Sequence, residues 1–161
     1  MAFTVTTNSS AVSTAGTSHT VNLPASIASG DLLLFMFADS IGTGGTVSWP
    51  AGYTKTPSSD TNNGTVSKLS SAYRIANGTE GASITVTTSA STKSAHNTYR
   101  IQGWHGTTPP EAGVANSNAG KDPPSLTPSW GSDATLWVEF GETGTGDAWT
   151  AASTSYTNLL S

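Results

Sequence analysis

Apolar residues in this chain alternate with polar ones over short stretches, and few windows repeat them at the i, i+3, i+4 spacing of an amphipathic helix. Ser, Thr, Gly and Pro interrupt every longer run, so the pattern predicts an all-β protein. Phe3 and Val5 alternate with Thr, and Val21 and Leu23 flank Asn22 before Pro24 closes the run. These predict two half-buried strands with a polar turn over residues 8–16 between them. Residues 32–38, Leu-Leu-Leu-Phe-Met-Phe-Ala, are continuously apolar and predict a strand covered on both faces or pressed against another subunit.

Ile41-Gly42-Thr43-Gly44-Gly45 is a glycine turn, after which Val47 and Trp49 resume alternation. No Gly-Lys-Ser/Thr follows, which excludes a phosphate-binding P-loop. Residues 60–65 read as a loop, residues 66–76 carry Leu69, Ala72, Tyr73 and Ile75, and Asn77-Gly78 is a turn signal. Residues 82–87 and 98–104 alternate again, with a Ser/Thr-rich loop expected between them. Short strands at this spacing describe a jelly-roll-like antiparallel β-sandwich. Residues 106–130 shift to Pro, Gly, Asn and Ala and read as an ordered crossing loop. The roughly 30 residues that follow are too few for a separate domain. We therefore expect one β-sandwich over residues 1–161, with main strands in 1–105, the crossing loop, and completing strands in 131–161.

An internal strand-turn-strand repeat spans that loop. Asp31-Leu32-Leu33-Leu34-Phe35-Met36-Phe37-Ala38 is echoed by Asp133-Ala134-Thr135-Leu136-Trp137-Val138-Glu139-Phe140, Gly42-Thr43-Gly44 by Gly144-Thr145-Gly146, and Gly52-Tyr53-Thr54 by Ser155-Tyr156-Thr157 one residue later. The echo places residues 135–140 and Trp49 and Trp137 in the core. The second copy stops after Tyr156: it is degenerate, or shorter than its relatives, or completed by strands of a neighbouring subunit.

Composition narrows the function classes. Only 10% of residues are charged, against about a quarter in an ordinary domain, while Ser and Thr make up nearly a third of the chain. The surface is thus solvated by hydroxyls and backbone. A net charge of −4, with no basic cluster, argues against nucleic acid as a partner. The absence of cysteine removes disulfides, thiolate catalysis and Cys-ligated zinc. The first residues lack the basic and apolar stretches of a secretory signal, so folding in the cytoplasm of the producing cell is expected. The longest apolar run is far short of the roughly 20 residues that span a bilayer, so no membrane partner is expected.

No catalytic signature emerges from spacing. His19, His96 and His105 lie in separate segments without His-x-x-x-His or Glu-x-x-His spacing, and Gly-x-Ser-x-Gly does not occur. Glu80, Glu111, Glu139 and Glu142 are the carboxylates from which a glycosidase pair would be drawn, none in a recognisable context. Asp39, Asp60 and Asp147 sit near turns without an Asp-x-Asp-x-Asp calcium loop, and turn hydrogen bonding explains them. Three Asn-x-Ser/Thr matches, at Asn8, Asn63 and Asn77, are expected by chance in so Ser/Thr-rich a chain. Trp49, Tyr53, Trp104, Trp130, Trp137 and Trp149 could form a stacking platform or a contact patch; Trp104, beside His105, and Trp130 border the long loop and are the candidates for exposure.

One ordered set of motifs goes further. Ser29-Gly30-Asp31-Leu32-Leu33-Leu34, Trp49-Pro50-Ala51-Gly52-Tyr53-Thr54, Ala72-Tyr73-Arg74-Ile75-Ala76 with Gly81-Ala82, and Tyr99-Arg100-Ile101 come first. Pro109-Pro110-Glu111, Pro123-Pro124-Ser125-Leu126 and Trp130-Gly131-Ser132-Asp133-Ala134 with Leu136-Trp137 follow. Together they resemble a family of small β-sandwich virion proteins of tailed bacteriophages, either capsid decoration (cement) proteins or tail-associated ones. The resemblance covers most of the chain through short motifs in a shared order. It implies a non-enzymatic structural protein without a cofactor, on the virion surface, bound to the outer face of the major capsid protein lattice. It also implies self-association, with a trimer on local three-fold positions as the expected form. A tail-fibre or tail-tip module binding host-surface glycans is the alternative it allows. An extended first strand carrying Phe3 and Val5 suits strand addition to a neighbour. Phe3, Val5, Trp104, His105 and Trp130 are therefore the candidate partner-contact residues.

Overall fold

The computed structural model describes residues 2–57, 61–63 (backbone only), 67–113 and 125–141. The described residues are all-β and contain no helix. Seven strands are present: β1 (Thr4–Asn22), β2 (Leu32–Asp39), β3 (Val47–Ser48), β4 (Thr54–Lys55), β5 (Thr61–Asn63), β6 (Ser67–Ile75) and β7 (Ser83–Gln102). They join one antiparallel sheet in the order β1-β7-β2-β6-β4, with β3 added to β7 and β5 to β6. The all-β antiparallel class is as expected, but the strands form one connected sheet rather than the two separate sheets of a jelly roll.

That sheet folds over itself. The β1–β7 register shifts between Val12 and Gly16 and again between Gly16 and Ser18, dividing the long antiparallel pair into two limbs. The outer limb pairs residues 4–12 with 94–102, and the inner limb pairs residues 18–22 with 83–87. The limbs lie face to face: Thr98 Oγ1 donates to Asn22 O at 2.8 Å, Asn8 Nδ2 to Leu23 O at 3.0 Å, and Asn22 N to Ser10 Oγ at 3.3 Å. Two segments expected to be loops thus lie within strands. Residues 8–16 and the Ser/Thr-rich stretch before Thr98 are polar because much of each strand faces water, yet their backbones are paired along most of their length. The loop expected at residues 60–65 contains β5.

β2 is the buried centre and is covered on both faces. Leu33, Phe35 and Phe37 meet Val21, Val47 and Val86 of the folded-over layer, with Trp49 and Tyr53 packed at the margin. Each such apolar side chain contributes about 1.5–3 kcal/mol by leaving water. Leu32, Leu34 and Met36 point the other way and meet Tyr99 and Ile101, with Phe3, Tyr73, Trp104, Leu136 and Phe140 packed around them. At the start of β2, Asp31 closes the preceding turn: its carboxylate accepts from Ala28 N at 2.9 Å and Gln102 Nε2 at 3.1 Å.

The second copy of the repeat is not a strand where it is described. Residues 131–141 form no ladder, and Trp137 is 45% exposed rather than in the core. Leu136 and Phe140 still pack on the sheet, so the echoed spacing supplies cover four residues apart instead of a second β2. The crossing loop shows no strand in residues 106–113 and 125–130. Asp60, Asn63-Gly64-Thr65 apart from the β5 backbone, Pro123-Pro124, Glu142, Gly144-Thr145-Gly146, Asp147, Trp149 and Tyr156 lie outside the described residues.

Candidate functional site

β1 is the terminal strand of the sheet, and among the described residues nothing pairs with its outer side. Natural sheets blunt such edges with Lys, Pro or other charges. Thr4–Asn22 contains no Asp, Glu, Lys, Arg or Pro. In the outer limb Val5, Thr7, Ser9 and Ala11 share one exposed face, while Thr6, Asn8, Ser10 and Val12 turn inward. Val5 stands opposite Ile101 and is 41% exposed, so it extends the apolar strip of β2 and β7 to the very edge. Ile75 at 48%, across β2 from that strip, and Trp137 and Val138 of the covering segment add further exposed apolar surface.

The sequence-expected contact residues separate around this strip. Phe3 and Trp104 pack against the Leu32–Tyr99 cluster, and the Trp104 indole N–H donates to Gly30 O at 2.8 Å. Trp104 is therefore a half-buried buttress under the edge. His105 is exposed, with its Nδ1 in contact with the Thr107 and Thr108 hydroxyls at 3.0 and 3.2 Å. Trp130 belongs to the covering segment, where its indole donates to Thr135 Oγ1 at 2.9 Å. Phe3, Val5 and Trp104 thus share one side of the sheet.

The fold also assembles a cluster that spacing could not reveal. His19 Nε2 contacts Thr88 Oγ1 at 2.9 Å and His19 Nδ1 contacts Ser94 Oγ at 2.9 Å. Ser94 Oγ contacts His96 Nε2 at 2.7 Å, and His96 Nδ1 contacts Ser10 Oγ at 2.8 Å. Phe37 lies between the rings, stacked on His96 and edge-on to His19 with centroids 5.2 Å away in each case. Both histidines are buried. Burial lowers the affinity of His19 for a proton. Burial, reinforced by the charge His19 would carry, pushes His96 down to about 4. The only signal in the sequence was Ser94-x-His96, two positions on the same strand face.

Glu80 and Glu111 are each engaged by different partners. Glu80 accepts from the backbone amides of Asn77 and Gly78 at 2.6 and 3.0 Å and pairs with Arg74 at 3.2 Å. Burial alone would raise its carboxyl, but these donors outweigh it and hold Glu80 below the usual range. Glu111 accepts from Ser129 N, tying the two ends of the long loop at 3.0 Å. Among the described residues no three His, Asp or Glu side chains cluster as metal ligands. Comparison with protein-family models, curated proteins and solved structures finds no significant match.

Proposed function

We propose that this chain is a non-enzymatic structural subunit that attaches to a repetitive protein surface through the outer edge of β1. The observation that carries the reading is the edge itself: a long, uncharged, Pro-free strand with Val5 and Thr7 exposed and a rigid, doubly covered β2 two strands behind it. Main-chain hydrogen bonds to an added strand supply affinity without charge, which suits a chain with so few ionic groups. The motif resemblance to virion proteins of tailed bacteriophages supports reading that surface as the outer face of the major capsid protein lattice. There the protein acts as a decoration subunit, self-associated as a trimer and carried on the virion after synthesis in the host cytoplasm. A ligand that binds only the assembled shell stabilises it by mass action, and repetition of a modest contact multiplies the effect.

The test is co-sedimentation of the purified chain with shells that lack it. Val5→Lys/Thr7→Lys places two charges on exposed edge positions and is expected to leave the fold intact while reducing occupancy at least tenfold. Unchanged occupancy of this variant would remove β1 as the attachment element.

A further inference from the structure

The hydrogens of the buried histidine chain can be ordered by donor and acceptor inventory. Thr88 Oγ1 donates to Ala90 O at 2.8 Å, so its single hydrogen is committed and His19 Nε2 must donate to it. In a neutral ring, His19 Nδ1 is then an acceptor, and Ser94 donates to it. With the Ser94 hydrogen used, His96 Nε2 must donate to Ser94 Oγ. His96 Nδ1 accepts in turn from Ser10, whose oxygen receives the amide of Asn22. Every hydrogen is assigned the same direction: Asn22 N–H to Ser10, His96, Ser94, His19, Thr88 and finally Ala90 O. Both rings hold the Nε2–H tautomer.

The chain also crosses between layers. Ser10, Ser94 and His96 stand on the outer limb, whereas His19, Asn22 and Thr88 stand on or at the end of the inner limb. The Asn22–Ser10 and Ser94–His19 bonds bridge the two. We propose that this hydrogen-bond chain is an acid-released latch: with both rings neutral it closes the two limbs of the β1–β7 pair, and uptake of a proton frees the inner limb.

A proton on His19 Nδ1 turns an acceptor into a donor and sets it head to head with the Ser94 hydroxyl, the bond that bridges the limbs. A proton on His96 Nδ1 does the same to Ser10, the half-buried member of the chain. A charge on one ring also opposes a charge on the other. Among the other charged groups on the surrounding elements, β2 offers Asp39, opposite Ser94, and β6 offers Lys68, opposite Asp39. On β7, Lys93 is exposed and Arg100 is engaged with Ala25 and Ser26 at the far end of the strand. The lowered proton affinity of both rings keeps the latch closed near neutral pH and places release in acid. The latch does not rest on the attachment proposed above.

The experiment uses the isotope-labelled full chain. Long-range nitrogen–proton imidazole spectra at pH 7.5 are expected to show His19 and His96 as neutral Nε2–H rings. Amide exchange is then followed from pH 7 to pH 4, corrected for its intrinsic pH dependence. Protection at residues 18–22 and 84–87 is expected to fall on the order of 100-fold, as a drop of His96 from 6.5 to about 4 dictates, while Leu34 and Tyr73 keep theirs. His96→Gln keeps a donor toward Ser94 but cannot take up a proton, and is expected to reduce that response to the part that His19 carries. An Nδ1–H or charged ring at pH 7.5, no selective loss in the inner limb, or equal loss at Leu34 and Tyr73 would overturn the proposal. If His96→Gln does not fold, the wild-type exchange pattern alone decides.

Discussion

Replacing Phe37 by Leu probes the centre of the folded-over sheet. The ring is fully buried, stacks on His96 at 5.2 Å, meets His19 edge-on at 5.2 Å and meets Trp49 edge-on at 6.2 Å. Leu keeps most of the apolar volume but loses all three ring contacts. Each such contact is worth about 0.5–1.5 kcal/mol, and an imperfect apolar swap adds up to about 1.5 kcal/mol. We expect a loss of about 2–4 kcal/mol, which leaves a domain of ordinary stability folded. Urea unfolding at pH 7.5 should show a lower midpoint with an unchanged slope. The same variant should let water reach His96 and move its titration up from about 4 toward 6.5. A loss below about 0.5 kcal/mol with an unmoved titration would refute the packing of Phe37 between the two rings.

Three further outcomes follow from named contacts. The folded-state affinity of His96 for protons lies below its unfolded value, so its contribution is fully present above about pH 6.5 and is lost as pH falls toward 4; it amounts to about 3 kcal/mol, and unfolding of wild type against His96→Gln across that window measures it. Gly103→Ala should lower stability by about 1–3 kcal/mol and free the start of β1, because φ is +75° there and a Cβ would strike the carbonyl oxygen of Ala2; exchange protection at residues 4–6 reports it. Glu80→Ala removes the acceptor of two turn amides and the Arg74 partner, and thermal unfolding should show a loss of about 1–3 kcal/mol that shrinks as pH falls below 4.5 toward the lowered value at which folded wild-type Glu80 takes up its proton.

Residues 32–38 were legible because seven consecutive apolar residues suit a strand covered on both faces or pressed against another subunit, and β2 is a strand covered on both faces. The middles of β1 and β7 were not legible, because Ser and Thr along a half-wet ribbon have the composition of a loop and only pairing some 80 residues apart makes them strands. The fold-over was equally hidden, since it depends on register shifts around Gly16 that no local pattern encodes. The echo of β2 at residues 133–140 carried the right spacing for contact but not for a ladder, which is why Leu136 and Phe140 are inside and Trp137 is not. Of the candidate contact residues, the place of Val5 on an extended first strand was readable from alternation, whereas Phe3 lies just before that strand. The role of Trp104 as a buttress and the union of His19 with His96 required the three-dimensional path of the chain.

The measurement that bears most directly on attachment as a capsid decoration subunit is cryo-electron microscopy of shells lacking this protein after mixing with the purified chain, paired with their thermal disruption. The account predicts density at regular positions on the outer lattice, with β1 pressed against the shell or a neighbouring copy, and a raised disruption temperature. Bare lattices at saturating protein, with an unchanged disruption temperature, would contradict it.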